Sequence, residues 1–155
     1  MMGQVQFKSL LLETQNSIKS VVPTVEKKSK IPTRMQYLTL KEFESVPKYM
    51  KGRIRYDQIN KFVDAFNDTI TAKYKLLSLP RKELKQAQYK MCQALKQQEN
   101  DETKGFSFCT DEDLKIYGNV KIDKMTSSML IVLRHCSKIK LIRGPGSIVR
   151  YAILV

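Results

Sequence analysis

The sequence predicts an α+β domain, mostly helical, that closes on a small antiparallel sheet. Three observations predict it. Ile59, Phe62, Val63, Phe66, Ile70, Tyr74 and Leu77 recur at the i, i+3, i+4, i+7 spacing of one helix face. Leu133 to Leu154 reads as the end of an apolar helix, a strand, a tight turn and a second strand, with Gly144-Pro145-Gly146 between two β-branched runs. Phe106-Ser107-Phe108-Cys109 alternates like one further strand.

The elements follow in chain order. Residues 1–36 differ from the rest and read as a flexible linker or arm. Phe7, Leu10, Leu11 and Ile18 have near-helical spacing, which allows one short helix. Val22 to Pro32 is a charged linker bounded by prolines. Two readings of this region stand side by side, a tether trailing from a coiled coil and a disordered arm. The domain spans residues 37–155. Thr39-Leu40-Lys41-Glu42 fits a capping box, and Pro47 interrupts the helix that it opens. Lys48 to Gly52 is a second short turn of helix that ends at glycine.

Tyr56-Asp57 opens the long helix, with Asn60, Lys61, Asp64, Asn67 and Asp68 off its apolar stripe. Leu79-Pro80 ends it. Pro80 also suits the start of a helix over about Arg81 to Gln98, with Leu84, Ala87, Met91 and Leu95 inward. Glu99 to Gly105 is a polar loop. Thr110 caps a short helix whose first turn holds Asp111, Glu112 and Asp113, where the helix dipole favours anions. Val120-Lys121-Ile122 is a strand or an extended link. A helix from about Asp123 to Cys136 buries Met125, Met129, Leu130 and Leu133. In the terminal hairpin Lys138, Lys140, Arg143 and Arg150 alternate with Ile139, Leu141, Ile142, Val149 and Ile153. Helices, one strand, more helices and a basic hairpin make the winged-helix plan, a helix-turn-helix derivative.

Charge sets the class of partner. There are 28 Lys and Arg against 15 Asp and Glu, a net charge of +13. Such an excess steers a protein toward an anion. DNA, RNA, a membrane surface and an acidic protein polymer all fit that statement. Chemistry is sparse by comparison. Cys92, Cys109 and Cys136 form no CxxC pair and His135 is the only histidine, so no four-ligand zinc site is predicted. The odd, unpatterned cysteines fit a reduced intracellular protein. No apolar run approaches the ~20 residues of a membrane span, and the N-terminus lacks a signal peptide's pattern. No Walker loop, GxSxG or HExxH motif is present. No cofactor or enzyme activity is expected.

The spaced blocks in this chain carry a resemblance. Glu42 to Arg53, Tyr56 to Asn60, Lys73 to Leu77, Leu133-Arg134-His135-Cys136, Arg143-Gly144 and Arg150-Tyr151 are similar to the spindle and kinetochore-associated protein 1 family. They match its C-terminal microtubule-binding domain from about Leu40 onward. The resemblance implies a variant winged helix that binds the microtubule lattice through dispersed basic patches rather than a DNA-reading helix. It implies a place at the kinetochore and mitotic spindle, in the cytoskeleton, where the Ska complex couples chromosomes to microtubules in cell division. It also implies sister Ska complex subunits as partners, joined through a coiled coil absent from this chain.

The resemblance assigns contact roles residue by residue. Arg53, the Arg81 and Lys82 pair, Lys104, Lys115, Lys121, Lys124, Arg134 and Arg143 fall on the family's microtubule-binding cations. Mitotic kinases weaken binding in the family by phosphorylation, but Arg55 and Lys140 stand here where the family has hydroxyls.

Physical readings of the same residues stand beside these roles. Arg pairs carboxylates in a planar fork, so Arg53, Arg134 and Arg143 suit an acidic surface. Lys115, Lys121 and Lys124 read equally as solvated charges. Arg134 fits a contact or a structural pair with an acid such as Asp123. Arg143 sits beside a turn that needs no cation, so a contact role is favoured. His135 and Cys136 are expected to be buried or structural, because adjacent helical residues point apart. Tyr49, Tyr56, Tyr74 and Tyr151 are expected at the core edge. The alternative function is a winged-helix nucleic-acid-binding domain, which concentrates its basic residues on a recognition helix and wing. Here they are scattered, so nucleic acid is expected to bind only nonspecifically. No membrane partner is expected.

Overall fold

The computed structural model describes residues 33–144 and 147–154. The arm expected over residues 1–36 lies outside that range as far as Pro32, as does the apex of the Gly144-Pro145-Gly146 turn. Thr33 to Gln36 is held on the domain. The Thr33 N–H donates to Ser107 Oγ at 3.0 Å, and Met35 is buried.

Six α-helices are described. α1 is Leu40–Ser45 and α2 is Lys48–Lys51. α3 is Tyr56–Leu77 and α4 is Gln86–Gln97. α5 is Asp111–Gly118 and α6 is Lys124–His135. Local chemistry explains most of their starts. Thr39 Oγ1 accepts from the Glu42 N–H while Glu42 Oε1 accepts from the Thr39 N–H, which closes the expected capping box. Thr110 and Asp113 do the same for α5. Asp123 caps α6 by accepting from the Thr126 N–H at 2.9 Å. Gly52 ends α2 at φ 53°, a conformation that glycine adopts without strain.

α3 carries the core. Ile59, Phe62, Val63, Phe66 and Ile70 are buried as the periodicity requires, and Tyr74 is partly buried against them. Asn60 and Asn67 depart from the expected polar face. Asn67 Oδ1 accepts from the Met35 N–H at 2.8 Å, and its Nδ2 donates to the Met35 carbonyl at 2.9 Å. Asn60 treats Leu38 in the same way, at 2.9 and 3.2 Å. A carboxamide sets an N–H donor beside a carbonyl acceptor, the complement of one residue's backbone N–H and C=O. Two asparagines a heptad apart therefore clamp the incoming chain along α3.

Three strands form one antiparallel sheet in the order β1-β3-β2. They are β1 Phe108–Cys109, β2 Ile139–Arg143 and β3 Val149–Ile153. Leu141 faces Tyr151 and Arg143 faces Val149 across the hairpin, and Phe108 pairs with Ala152. Cys109, Ile139, Leu141, Val149, Tyr151 and Ile153 join the main core with Phe66, Leu114 and Leu133. Phe108, Ile142 and Ala152 form a second small cluster with Phe106.

Several expectations need correction. The helix expected over Arg81 to Gln98 is a 3-10 turn, Arg81–Glu83, followed by α4. Leu84 and Lys85 between them are extended, with ψ of 129° and 161°. Ala87 is exposed, and Cys92 and Leu95 are the residues of α4 that are buried. Of the two readings of Val120-Lys121-Ile122, a strand or a link, the structure has the link, with no strand there. On α6, Thr126 and Val132 are buried where Met125 is only partly so. His135 is exposed rather than buried, because it stands at the last turn of α6, four residues after the exposed Ile131 on the stripe that Ser127 begins. Tyr49 is 85% exposed rather than a core edge, because its four-residue helix offers little surface to pack on.

Candidate functional site

Not every cation of this basic chain is available to a partner. Lys73 projects from α3 into the interior and is fully buried. Its ammonium lies 3.4 Å from Asp113 Oδ2, donates to the Phe108 carbonyl at 2.8 Å and stands 3.6 Å over the Phe108 ring. Burial pulls the Lys73 ammonium below its ordinary range, and the Asp113 carboxylate opposes that shift. Tyr74 completes this junction. Its hydroxyl accepts from the Phe108 N–H at 3.1 Å, and burial pushes its pKa up to about 12. Arg150 is the second buried cation, 2% exposed rather than on the hairpin surface as its alternation suggested. Its guanidinium donates to the carbonyls of Gln98 and Ile148 and so ties the C-terminal end of α4 to β3. Both residues hold the sheet to its surroundings.

The cations expected to contact a partner lie elsewhere. All nine are exposed. Arg53 lies in the connection between α2 and α3. Arg81 and Lys82 sit on the 3-10 turn after Pro80, where the Arg81 guanidinium stacks on the Tyr89 ring at 3.8 Å. Lys104 is 3.5 Å from Asp101, and Lys115 is 3.5 Å from Glu112. Both are local pairs with wet carboxylates, worth only ~0.2–1 kcal/mol, so a partner's carboxylate can compete for them. Lys121 and Lys124 flank the Asp123 cap of α6. Arg134 is on the last turn of α6, and Arg143 ends β2 at the turn. Among the described residues Arg53, Arg81, Lys82, Lys121, Lys124, Arg134 and Arg143 take part in no ion pair. The suggested Arg134–Asp123 pair is not formed, since Asp123 sits at the opposite end of α6.

Among the described residues these side chains stand on separate elements. They are spread over three connecting segments, a 3-10 turn, two helices and the hairpin. β2 links the two arginines of the C-terminal region, because it starts just after α6 and ends at Arg143. Along it Lys138 pairs with Glu42 of α1 at 3.3 Å, and Lys140 lies over the Phe106 ring at 4.1 Å. Such an arrangement can neutralise an extended acidic surface, but it offers no reacting group. Among the described residues no three His, Cys, Asp or Glu side chains are grouped to hold a metal ion. No described helix is long and apolar enough to cross a membrane.

Sequence comparison supplies the relatives. The family model described as spindle and kinetochore-associated protein 1 matches residues 3–146. The SKA complex subunit 1 of Danio rerio is 42% identical over 120 residues, covering 77% of this chain and 46% of that protein. The Xenopus tropicalis protein of that name is 41% identical over 131 residues, 84% of this chain and 50% of its own length. The Homo sapiens protein is 35% identical over 119 residues, 77% of this chain and 46% of that protein. The chain thus spans about half the length of these curated relatives. With the family model matching nearly the whole chain, this protein belongs to the spindle and kinetochore-associated protein 1 family.

Proposed function

We propose that this chain is the microtubule-binding module of a kinetochore complex, built as a variant winged helix. It couples chromosomes to spindle microtubules in mitosis. Tubulin is the partner on its basic surface, and sister Ska complex subunits join through a coiled coil outside this chain. The role is binding, not catalysis. One observation carries the reading: seven of the assigned cations are exposed and unpaired among the described residues, on separate elements.

The physics fits an acidic polymer lattice. One exposed ion pair is worth too little to hold a polymer, so several dispersed contacts must add. Dispersed contacts tolerate changes of lattice curvature that one deep socket does not. Linking several such modules multiplies weak contacts through effective concentration. The β1-β3-β2 sheet with its C-terminal hairpin behind α6 supports the winged-helix reading. Arg134 and Arg143, at the two ends of that unit, are the principal contacts.

Cosedimentation with stabilised microtubules tests the proposal, across a salt series and with duplex DNA as competitor. Salt-sensitive pelleting that survives modest DNA is expected. Arg134→Ala combined with Arg143→Ala should cut pelleting sharply without moving the thermal midpoint. Unchanged pelleting by that variant refutes the site. Failure to pellet, together with tight sequence-selective DNA binding, identifies a winged-helix nucleic-acid binder instead.

A further inference from the structure

The face formed by α1 and α2 carries a feature that the dispersed cations do not use. An open groove of about 420 Å³ is lined by Phe43, Glu44, Val46, Lys48, Lys51 and Ile54, with Gly52 at one end. Its floor is apolar and fixed, since Phe43, Val46 and Ile54 are core residues. Its rim is cationic. Lys51 holds its ammonium 4.9 Å from the centre of the Phe43 ring. Neither Lys48 nor Lys51 has a carboxylate partner among the described residues, and Glu44 is the one acid on the lining. Gly52 leaves the end of the groove open, because a Cβ there would meet nothing within 4 Å.

Two exposed apolar side chains stand on the same two helices, outside the lining of the groove. Tyr49, next to Lys48 on α2, is 85% exposed. Leu40 is 54% exposed and stands one turn before Phe43 and Glu44 on the same side of α1. A folded monomer gains nothing from holding a tyrosine in water beside an apolar groove. Tyrosine is instead enriched where one protein anchors another.

We propose that the α1–α2 groove docks a short acidic peptide segment of a partner protein that carries one bulky apolar side chain. The apolar side chain enters over Phe43, Val46 and Ile54 with Tyr49 against its flank. Carboxylates beside it in the peptide pair with Lys48 and Lys51. Charge selects an acidic rather than a basic segment, and the shallow floor sets the limit of one large side chain. Of the cations assigned to the lattice, only Arg53 adjoins this lining, between Gly52 and Ile54, and the principal arginines of that reading lie on α6 and β2.

Fluorescence anisotropy with the full chain tests it. The probe is a labelled glutamate-rich peptide with one central Phe, and its control carries Ala at that place. The Phe peptide is expected to bind about tenfold more tightly than the Ala peptide, the ratio for one anchoring side chain worth about 1.4 kcal/mol. Tyr49→Ala should weaken the Phe peptide by about the same factor, and so should Lys48→Glu with Lys51→Glu. Lys90→Glu with Lys96→Glu on α4 makes the same change in net charge and should leave binding within roughly twofold. Equal binding of the two peptides overturns the proposal. So does equal weakening by the two charge reversals, which would mean that only overall charge is being read.

Discussion

Lys73 shows how far one residue's role depends on its surroundings. In the sequence it is one more lysine of a basic helix. In the fold it is the buried partner of Asp113 and the support of the β1 backbone at Phe108. Removing one member of such a pair leaves the other charged and dry, which costs about 3–5 kcal/mol. Lys73→Met should therefore lower stability in chemical denaturation by that order. Lys73→Met combined with Asp113→Leu should recover much of the loss, since an apolar replacement of the whole pair strands no charge. A double variant as unstable as the single one would show that the bonds to the Phe108 carbonyl and the Thr110 N–H, rather than the charge pairing, carry the stability. Arg150 teaches the same point. Its alternation with Val149 and Tyr151 was visible, but the end of α4 that receives its guanidinium is 52 residues away in sequence.

At the scale of elements, α3 is the piece on which the rest assembles. Phe62 and Phe66 lie edge to face with centroids 6.4 Å apart, and both are buried. Truncating buried aromatics costs ~3–5 kcal/mol each. Phe62→Ala with Phe66→Ala should leave no cooperative thermal transition, and a near-native melt would contradict the packing. α5 meets α3 closely at Gly118, where a Cβ would fall 2.0 Å from Thr69 Oγ1.

Helix caps set the behaviour in acid. The Thr39 N–H holds the Glu42 carboxyl below its ordinary value, and Lys138 adds to this. The Thr126 N–H does the same for Asp123. Both groups have lower pKa values folded than unfolded, so their stabilisation is complete above the ordinary carboxylate range near 4 and is lost as pH falls through the lowered values. The thermal midpoint should drop across that window. Glu42→Gln with Asp123→Asn should flatten the drop, and an unchanged acid slope in that variant would assign it to other carboxylates.

The whole molecule combines a net charge of +13 with a surface on which the cations stay apart. Such a charge steers the chain toward an anionic partner, and salt screens that attraction over about 10 Å at 0.1 M. Patches on separate elements should then act independently. Neutralising Arg53, the Arg81 and Lys82 pair, or Lys121 with Lys124 should each weaken microtubule binding a few-fold. Combining two patches should multiply the effects, because distant sites add in free energy. Complete loss from any one of these patches would point to a single socket and against a dispersed surface.

What the sequence by itself determined is what depends on near neighbours. The stripe of α3, the capping boxes at Thr39 and Thr110, the stop at Pro47 and the C-terminal hairpin are set by spacings of a few residues. The net charge and the family blocks are also properties of the string alone. The exposure of the assigned cations followed from their places in loops and at element ends. Tertiary structure decided the rest. It buried Lys73 and Arg150, turned Asn60 and Asn67 into backbone clamps, left Tyr49 and His135 in water and opened the groove between α1 and α2. Burial and pairing depend on which distant segments meet, and local periodicity carries no record of that meeting.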